Sequence, residues 1–259
     1  MLFKQNIRVA RRLPRDVCCL QLSYNTTICL SSREANPKGK SKMSIVTIAR
    51  GSYSRGKEVA ERLAKKLGYE CISREIILEA SKEFNIPEIK LIRALHDSPR
   101  IFASDGAAHY VKYYRSAILR HACNDNMVYH GLAGHFFLKD IPHVLKIRIN
   151  ADMDTRVKEE MARENISAKE ALRILKNDDE ERRKWGLQIY GTDTWDSRLY
   201  DMVINISTLT IEDTVEIIAA VLQKPRFQLT PDSKKMIADL AISAKKQADV
   251  MKSIGSTLG

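Results

Sequence analysis

The sequence predicts an α/β fold in which a parallel sheet carries helices on both faces. Three observations point there. From Ser44 onward, apolar runs of strand length alternate with segments of helical period. The segments between successive runs are long enough for the crossovers that parallel pairing requires. The first run, Ile45-Val46-Thr47-Ile48-Ala49, is β-branched almost throughout, as a strand buried on both faces should be.

Taken in order, strands are expected at 44–49, 69–72, 127–130, 144–149 and 201–206. Between them, helical patterns run over 57–67, 74–84, 87–95, 105–123, 154–164, 167–184 and 211–223. The first helix is amphipathic from Lys57 through Val59, Ala60, Leu63 and Leu67. The stretch from Gly106 to Ala122 holds Tyr110, Tyr113 and Tyr114 at helical spacing, which reads as core in preference to a base-stacking platform. After Pro225, the start signal Thr230-Pro231-Asp232 opens a terminal helix over 231–253, with Met236, Ile237, Leu240, Ile242 and Ala244 as its apolar positions. It is expected to pack on the domain or on a partner, and the glycine and serines after 253 are expected to end it.

Function should be sought where the first strand gives way to the first helix. Arg50-Gly51-Ser52-Tyr53-Ser54-Arg55-Gly56-Lys57 is a short loop with two glycines and two serines, and Gly51-x4-Gly56-Lys57 meets most of the Walker A pattern. Glu58 stands where that pattern wants Ser or Thr for a metal. A strand, such a loop and a helix N-terminus can aim several amides at one phosphate. The competing reading is an ordinary βα turn whose glycines serve positive φ angles.

Of the net charge of +11 carried by 259 residues, +7 lies in residues 1–42, where nine Lys or Arg face only Asp16 and Glu34. This segment ends in Asn36-Pro37-Lys38-Gly39-Lys40-Ser41-Lys42, just ahead of Met43. It reads as a disordered basic extension; a transit peptide and a true start at Met43 are the alternatives. No Lys/Arg stripe is interleaved with aromatics, and Trp185 and Trp195 fall near one acidic and polar loop, which argues against nucleic acid as a partner. No apolar run approaches a membrane span. Cys18, Cys19 and Cys29 precede Cys71 and Cys123 with no metal-ligand spacing, which predicts free thiols in a reducing cytoplasm. The organisation expected is an extension over 1–42, a kinase-like domain over 43–224 and a helical extension over 225–259, with the oligomeric state left open.

The order of pieces resembles the P-loop nucleoside monophosphate kinases, and within them the cytidylate kinase-like family. Arg50, Ser54, Gly56, the basic Lys57 and Glu58 match that family's first loop, whereas Tyr53 and Arg55 replace glycines. Ser73-Arg74-Glu75-Ile76 matches the signature after the second strand, with Ser73 in place of its acid, and Leu132 replaces the arginine that normally ends the third strand. The distal block matches best: Arg156, Arg163-Glu164-Asn165, Asp179-Glu180-Glu181-Arg182, and Trp195 through Tyr200-Asp201 to Asn205. The resemblance spans about 44–223.

It implies a three-layer P-loop kinase fold with a helical lid and transfer of the ATP γ-phosphate to a nucleoside monophosphate, CMP or dCMP. Arg50, Gly51, Ser52, Tyr53, Ser54, Arg55, Gly56 and Lys57 would hold the donor phosphates. Lys57, Arg156, Arg163 and Arg182 would serve catalysis, the last three as lid arginines, with Arg156 and Arg163 two helical turns apart. Ser73, Arg74 and Arg120 would meet the acceptor, and His130 and His135 flank a turn that can face the cleft. No preformed metal site is expected, Mg²⁺ arriving with ATP. Two other readings stand beside this one: an ATP-binding regulatory protein of the same fold with degenerate catalysis, and a scaffold or nucleic-acid adaptor using the basic arm.

Overall fold

The computed structural model describes residues 44–52, 54–73, 75–96 and 106–257, and of 93–96, 106–109 and 254–257 the backbone alone. The basic arm, Tyr53 and Arg74 lie outside the described residues.

Five strands form one parallel sheet: β1 (Ile45–Arg50), β2 (Glu70–Ile72), β3 (Met127–Tyr129), β4 (Val144–Asn150) and β5 (Met202–Asn205), in the spatial order β2-β3-β1-β4-β5. From β1 the chain passes to the edge strand β2, returns inward with β3, then crosses past β1 to add β4 and β5 on the other side. The order therefore reverses at β1, and the crevice beyond its C-terminal end is where such sheets bind ligands.

The helices are α1 (Gly56–Leu67), α2 (Glu75–Phe84), α3 (Glu88–His96), α4 (Gly106–Ala122), α5 (Gly134–Phe137), α6 (Met153–Glu164), α7 (Ala168–Tyr190), α8 (Ile211–Leu222) and α9 (Pro231–Thr257). Side-chain alternation along the strands divides them. Val46, Ile48, Leu145, Ile147 and Ile149 pack one sheet face against α1 and α8, while Ile45, Met127, Tyr129 and Val144 pack the other with α2, α4 and α5. With α6 and α7 packed on each other as a helical lid, this is the three-layer arrangement that the resemblance implies.

Tyr113 and Tyr114 are buried in the core, as their helical spacing predicts. The terminal helix lies on α4, burying Ile237, Ala244 and Ala248 in the same cluster. It runs on to Thr257, past the expected end near 253, because one glycine costs a helix only about 1 kcal/mol. α7 extends to Tyr190 where the polar run to 184 suggested an end, since Trp185 and Tyr190 insert into an aromatic cluster with Phe136. The four-residue α5 was too short to show a period.

Candidate functional site

The loop after β1 turns at Gly51, whose carbonyl accepts from Ser54 N at 3.4 Å and from Ser54 Oγ at 3.0 Å. Among the described residues of the loop, the left-handed one is neither glycine but Arg55, at φ 53°, where a side chain costs about 1–2 kcal/mol. The expected glycine role is thus carried by an arginine, at a position where the resemblance implies glycine. Gly56 serves a different need: a Cβ there would come within 2.9 Å of Arg50 Cβ and 3.0 Å of Arg50 Cδ, so only glycine lets Arg50 cross the start of α1.

Arg55 makes no side-chain cap, and the first-turn carboxylate of Glu58 accepts from Arg55 at 2.8 Å and Arg62 at 2.6 Å. The amides of Gly56, Lys57 and Glu58 precede the first i→i−4 bond of the helix, Val59 N to Arg55 O, and so have no partner of that kind. Lys57 itself is exposed and runs along the helix to Glu61, 3.6 Å away.

The lid is tied to this loop from behind. Arg156 Nε donates to Ser52 O at 2.7 Å while its two terminal nitrogens donate to Asp179 at 2.8 and 2.9 Å. Ser52 Oγ donates to Asp178 at 2.9 Å, and Arg182 Nη1 donates to Arg50 O at 3.0 Å. Arg156 is expected from the sequence to reach substrate phosphates. The structure instead buries it against Gly51, off the cleft wall, because Asp179 satisfies its planar fork. Arg182 does reach the wall; burial draws its guanidinium below the usual range, opposed by Asp178 and Asp179, and it stays charged.

Beyond the C-terminal ends of β1, β3 and β4 opens a cleft of about 580 Å³, in the range of small-molecule sites. Arg50, Arg148, Arg163 and Arg182 line it, against one acid, Asp179. Ile77, Ile92, Tyr114, Leu132 and Trp185 supply its apolar wall. Ser73 also lines it, donating its amide to Glu75 at 2.8 Å and its hydroxyl to His130 O at 3.3 Å. Arg120 does not: it sits on the outer side of α4, paired with Glu79 at 2.9 Å and Glu83 at 2.5 Å.

Arg148 is the cleft cation that sequence reasoning missed. It lies on the β4 side opposite buried Ile147 and Ile149, held by Thr194 O at 2.7 Å and Asn150 Oδ1 at 2.9 Å. A charge alternating with isoleucine in a strand with two neighbours was the available signal. It brings positive charge to the cleft that has Leu132 where the resemblance implies arginine.

His130 and His135 both line the cleft and are buried. Burial and Arg50 push His130 down to about 4, and burial and Arg148 push His135 down to about 3. Unfolded, each titrates near 6.5. Below about pH 6.5 the unfolded chain therefore takes up protons that the folded one refuses, and stability falls with pH until the folded values are reached. Urea denaturation at pH 7 and pH 5 should show this loss, and His135→Gln should show a smaller loss over the same interval.

Among the described residues no three His, Cys, Asp or Glu side chains gather to hold a metal. Ser52 and Ser54 give their hydroxyl protons to Asp178 and Gly51 O, and Glu58 lies between two arginines. Among the described residues no helix is long and apolar enough to cross a membrane.

The model of the cytidylate kinase-like family matches residues 45–208. A cytidylate kinase of Sulfolobus acidocaldarius is 29% identical over 168 residues, which are 64% of this chain and 87% of that protein. An uncharacterized protein from Eubacterium ventriosum shares the fold at 23% identity and a TM-score of 0.55, over 70% of this chain and 99% of that one. A shikimate kinase from Bacteroides thetaiotaomicron aligns over 70% of this chain and 99% of its own at 13% identity and a TM-score of 0.46.

Proposed function

Since the chain belongs to the cytidylate kinase-like family, we propose that it transfers the γ-phosphate of ATP to a nucleoside monophosphate, with CMP or dCMP as the acceptor. One observation carries the reading: four arginines from β1, β4, α6 and α7 line a single cleft beside an uncapped helix N-terminus. The ATP triphosphate rests on the amides of Gly56, Lys57 and Glu58, and the acceptor enters the cleft. An acceptor phosphate oxygen attacks Pγ, the bond from Pγ to the β,γ-bridging oxygen breaks, and ADP leaves. The nucleophile is already anionic, so no general base is required. The protein's work is to align the two phosphates and to place guanidinium charge around the oxygens in flight. Mg²⁺ is carried in with the triphosphate.

Lys57 stands on the first turn of α1, and its ion pair with Glu61 is exposed, worth at most about 1 kcal/mol. A triphosphate outcompetes that carboxylate. Lys57→Ala should raise the KM for ATP about tenfold, by loss of one charge-assisted contact, and leave the acceptor KM nearly unchanged. Initial rates with each substrate varied in turn check this.

The second reading, a regulatory protein that binds ATP without turning it over, draws on Ser52 being engaged by Asp178 and on Leu132 in the cleft wall. Incubation with ATP, Mg²⁺ and each monophosphate in turn, scored for diphosphate, separates the two. ATP binding without any diphosphate favours the second reading.

A further inference from the structure

Trp195 is 51% exposed, yet it stands on the wall of the cleft. A large exposed aromatic in a binding cleft is more informative than scattered surface apolar residues. This one is also held in place. Asp193 Oδ1 accepts the Trp195 amide at 2.9 Å, and the same carboxylate takes Arg183 at 2.7 Å. The Arg183 guanidinium in turn lies 4.9 Å from the indole centroid, with that of Arg148 at 5.8 Å.

The neighbouring backbone is equally fixed. Thr194 O accepts from Arg148 at 2.7 Å and from Tyr200 Oη at 2.8 Å. Gly186 of α7 lets the helix lie against this loop, since a Cβ there would come within 2.6 Å of the Thr194 methyl. Three elements, α7, β4 and the loop before β5, thus fix one indole whose surface stays half open. An ordered aromatic surface of that kind suits a flat partner, and a nucleobase is flat whatever its hydrogen-bonding edge.

The cleft's lining decides which base. Gly56, Lys57 and Glu58, whose amides seat the donor phosphates, are not part of the wall that holds Trp195; Arg148, Arg163 and Arg182 are, and they share it with Arg50 and Gly51 of the loop after β1. The geometry points to Trp195 as the platform on which the base of the acceptor monophosphate stacks, with the cleft arginines taking its phosphate. This rests on the reading of the acceptor as a nucleoside monophosphate. Stacking is tolerant of base identity, so Trp195 separates nucleotides from base-free phosphates and leaves the choice among bases to other groups.

The test compares equilibrium binding of CMP, UMP, AMP, GMP and ribose 5-phosphate by calorimetry to the full chain, its Trp195→Ala and its Trp195→Phe variants. The wild type is expected to bind its preferred monophosphate at least about tenfold more tightly than ribose 5-phosphate, from the usual worth of one base–aromatic stack. Trp195→Ala should erase most of that difference while leaving ribose 5-phosphate binding unchanged, and Trp195→Phe should keep much of it. Equal weakening of both ligands by Trp195→Ala, or no weakening of either, overturns the inference and leaves the kinase reading intact. Binding of a monophosphate with the expected Trp195 dependence but without turnover supports the inference and overturns the catalytic reading. Absence of binding by every monophosphate overturns both.

Discussion

Replacing Asp179 with Ala is expected to lower the stability of the protein by about 3–5 kcal/mol, the cost of leaving a buried charge without its partner. Asp179 and Arg156 are 9% and 8% exposed and meet through two parallel bonds of 2.8 and 2.9 Å. The guanidinium also holds Ser52 O at 2.7 Å, so α6, α7 and the loop after β1 share one node. Removing the carboxylate leaves Arg156 with that single carbonyl in a dry setting. Exposed pairs such as Lys184–Glu180 should cost less than about 1 kcal/mol when broken, which provides a control within the same helix. Replacing both partners at once, Arg156→Met with Asp179→Leu, should recover much of the loss, since neither charge is then buried. Urea denaturation of the three variants checks the order. A loss below about 1 kcal/mol for Asp179→Ala would show that the node does not carry the loop.

This node marks the limit of what the sequence could tell. The parallel sheet, its five strands and eight of its helices were legible because each carries its own period, from the β-branched Ile45–Ala49 to the apolar stripe of the first helix. The loop between β1 and α1 was legible because its glycines lie at a fixed distance from a strand and a helix. Whether an arginine faces substrate or core was not, because a period of 3.6 assigns a helix face and says nothing of what a second helix presents to it. Arg156 and Arg163 are seven positions apart on α6, yet Asp179 of α7 captures the first while the second reaches the cleft. Arg120 reads like Arg182 in sequence and finds Glu79 and Glu83 across the α2–α4 contact instead. Arg148 was overlooked for the opposite reason: a strand of six or seven residues shows alternation, but not which of its faces ends in a cleft.

Arg182→Ala should lower kcat by about 10²–10³-fold, near the low end of what one well-placed arginine supplies to phosphoryl transfer. Asp178 and Asp179 lie four and three positions before it, so one α7 face presents two acids and then this guanidinium to the loop after β1. The acids are engaged by Ser52 and Arg156, and Arg182 is held by Arg50 O at 3.0 Å on the cleft wall. A cation fixed before substrate arrives needs no reorganisation as charge spreads over the phosphoryl oxygens, and an interaction stronger in the transition state than in the ground state appears in kcat. Arg163 is 59% exposed and pairs with Glu164 at 2.5 Å, so Arg163→Ala should act mainly on KM and by a smaller factor. Arg182→Lys keeps the charge and loses the planar fork, and an intermediate kcat is expected. Steady-state rates for the three variants, beside thermal melts to confirm folding, check the ranking. An Arg182→Ala protein that folds and turns over within a fewfold of wild type would remove the cleft arginines from the transition state.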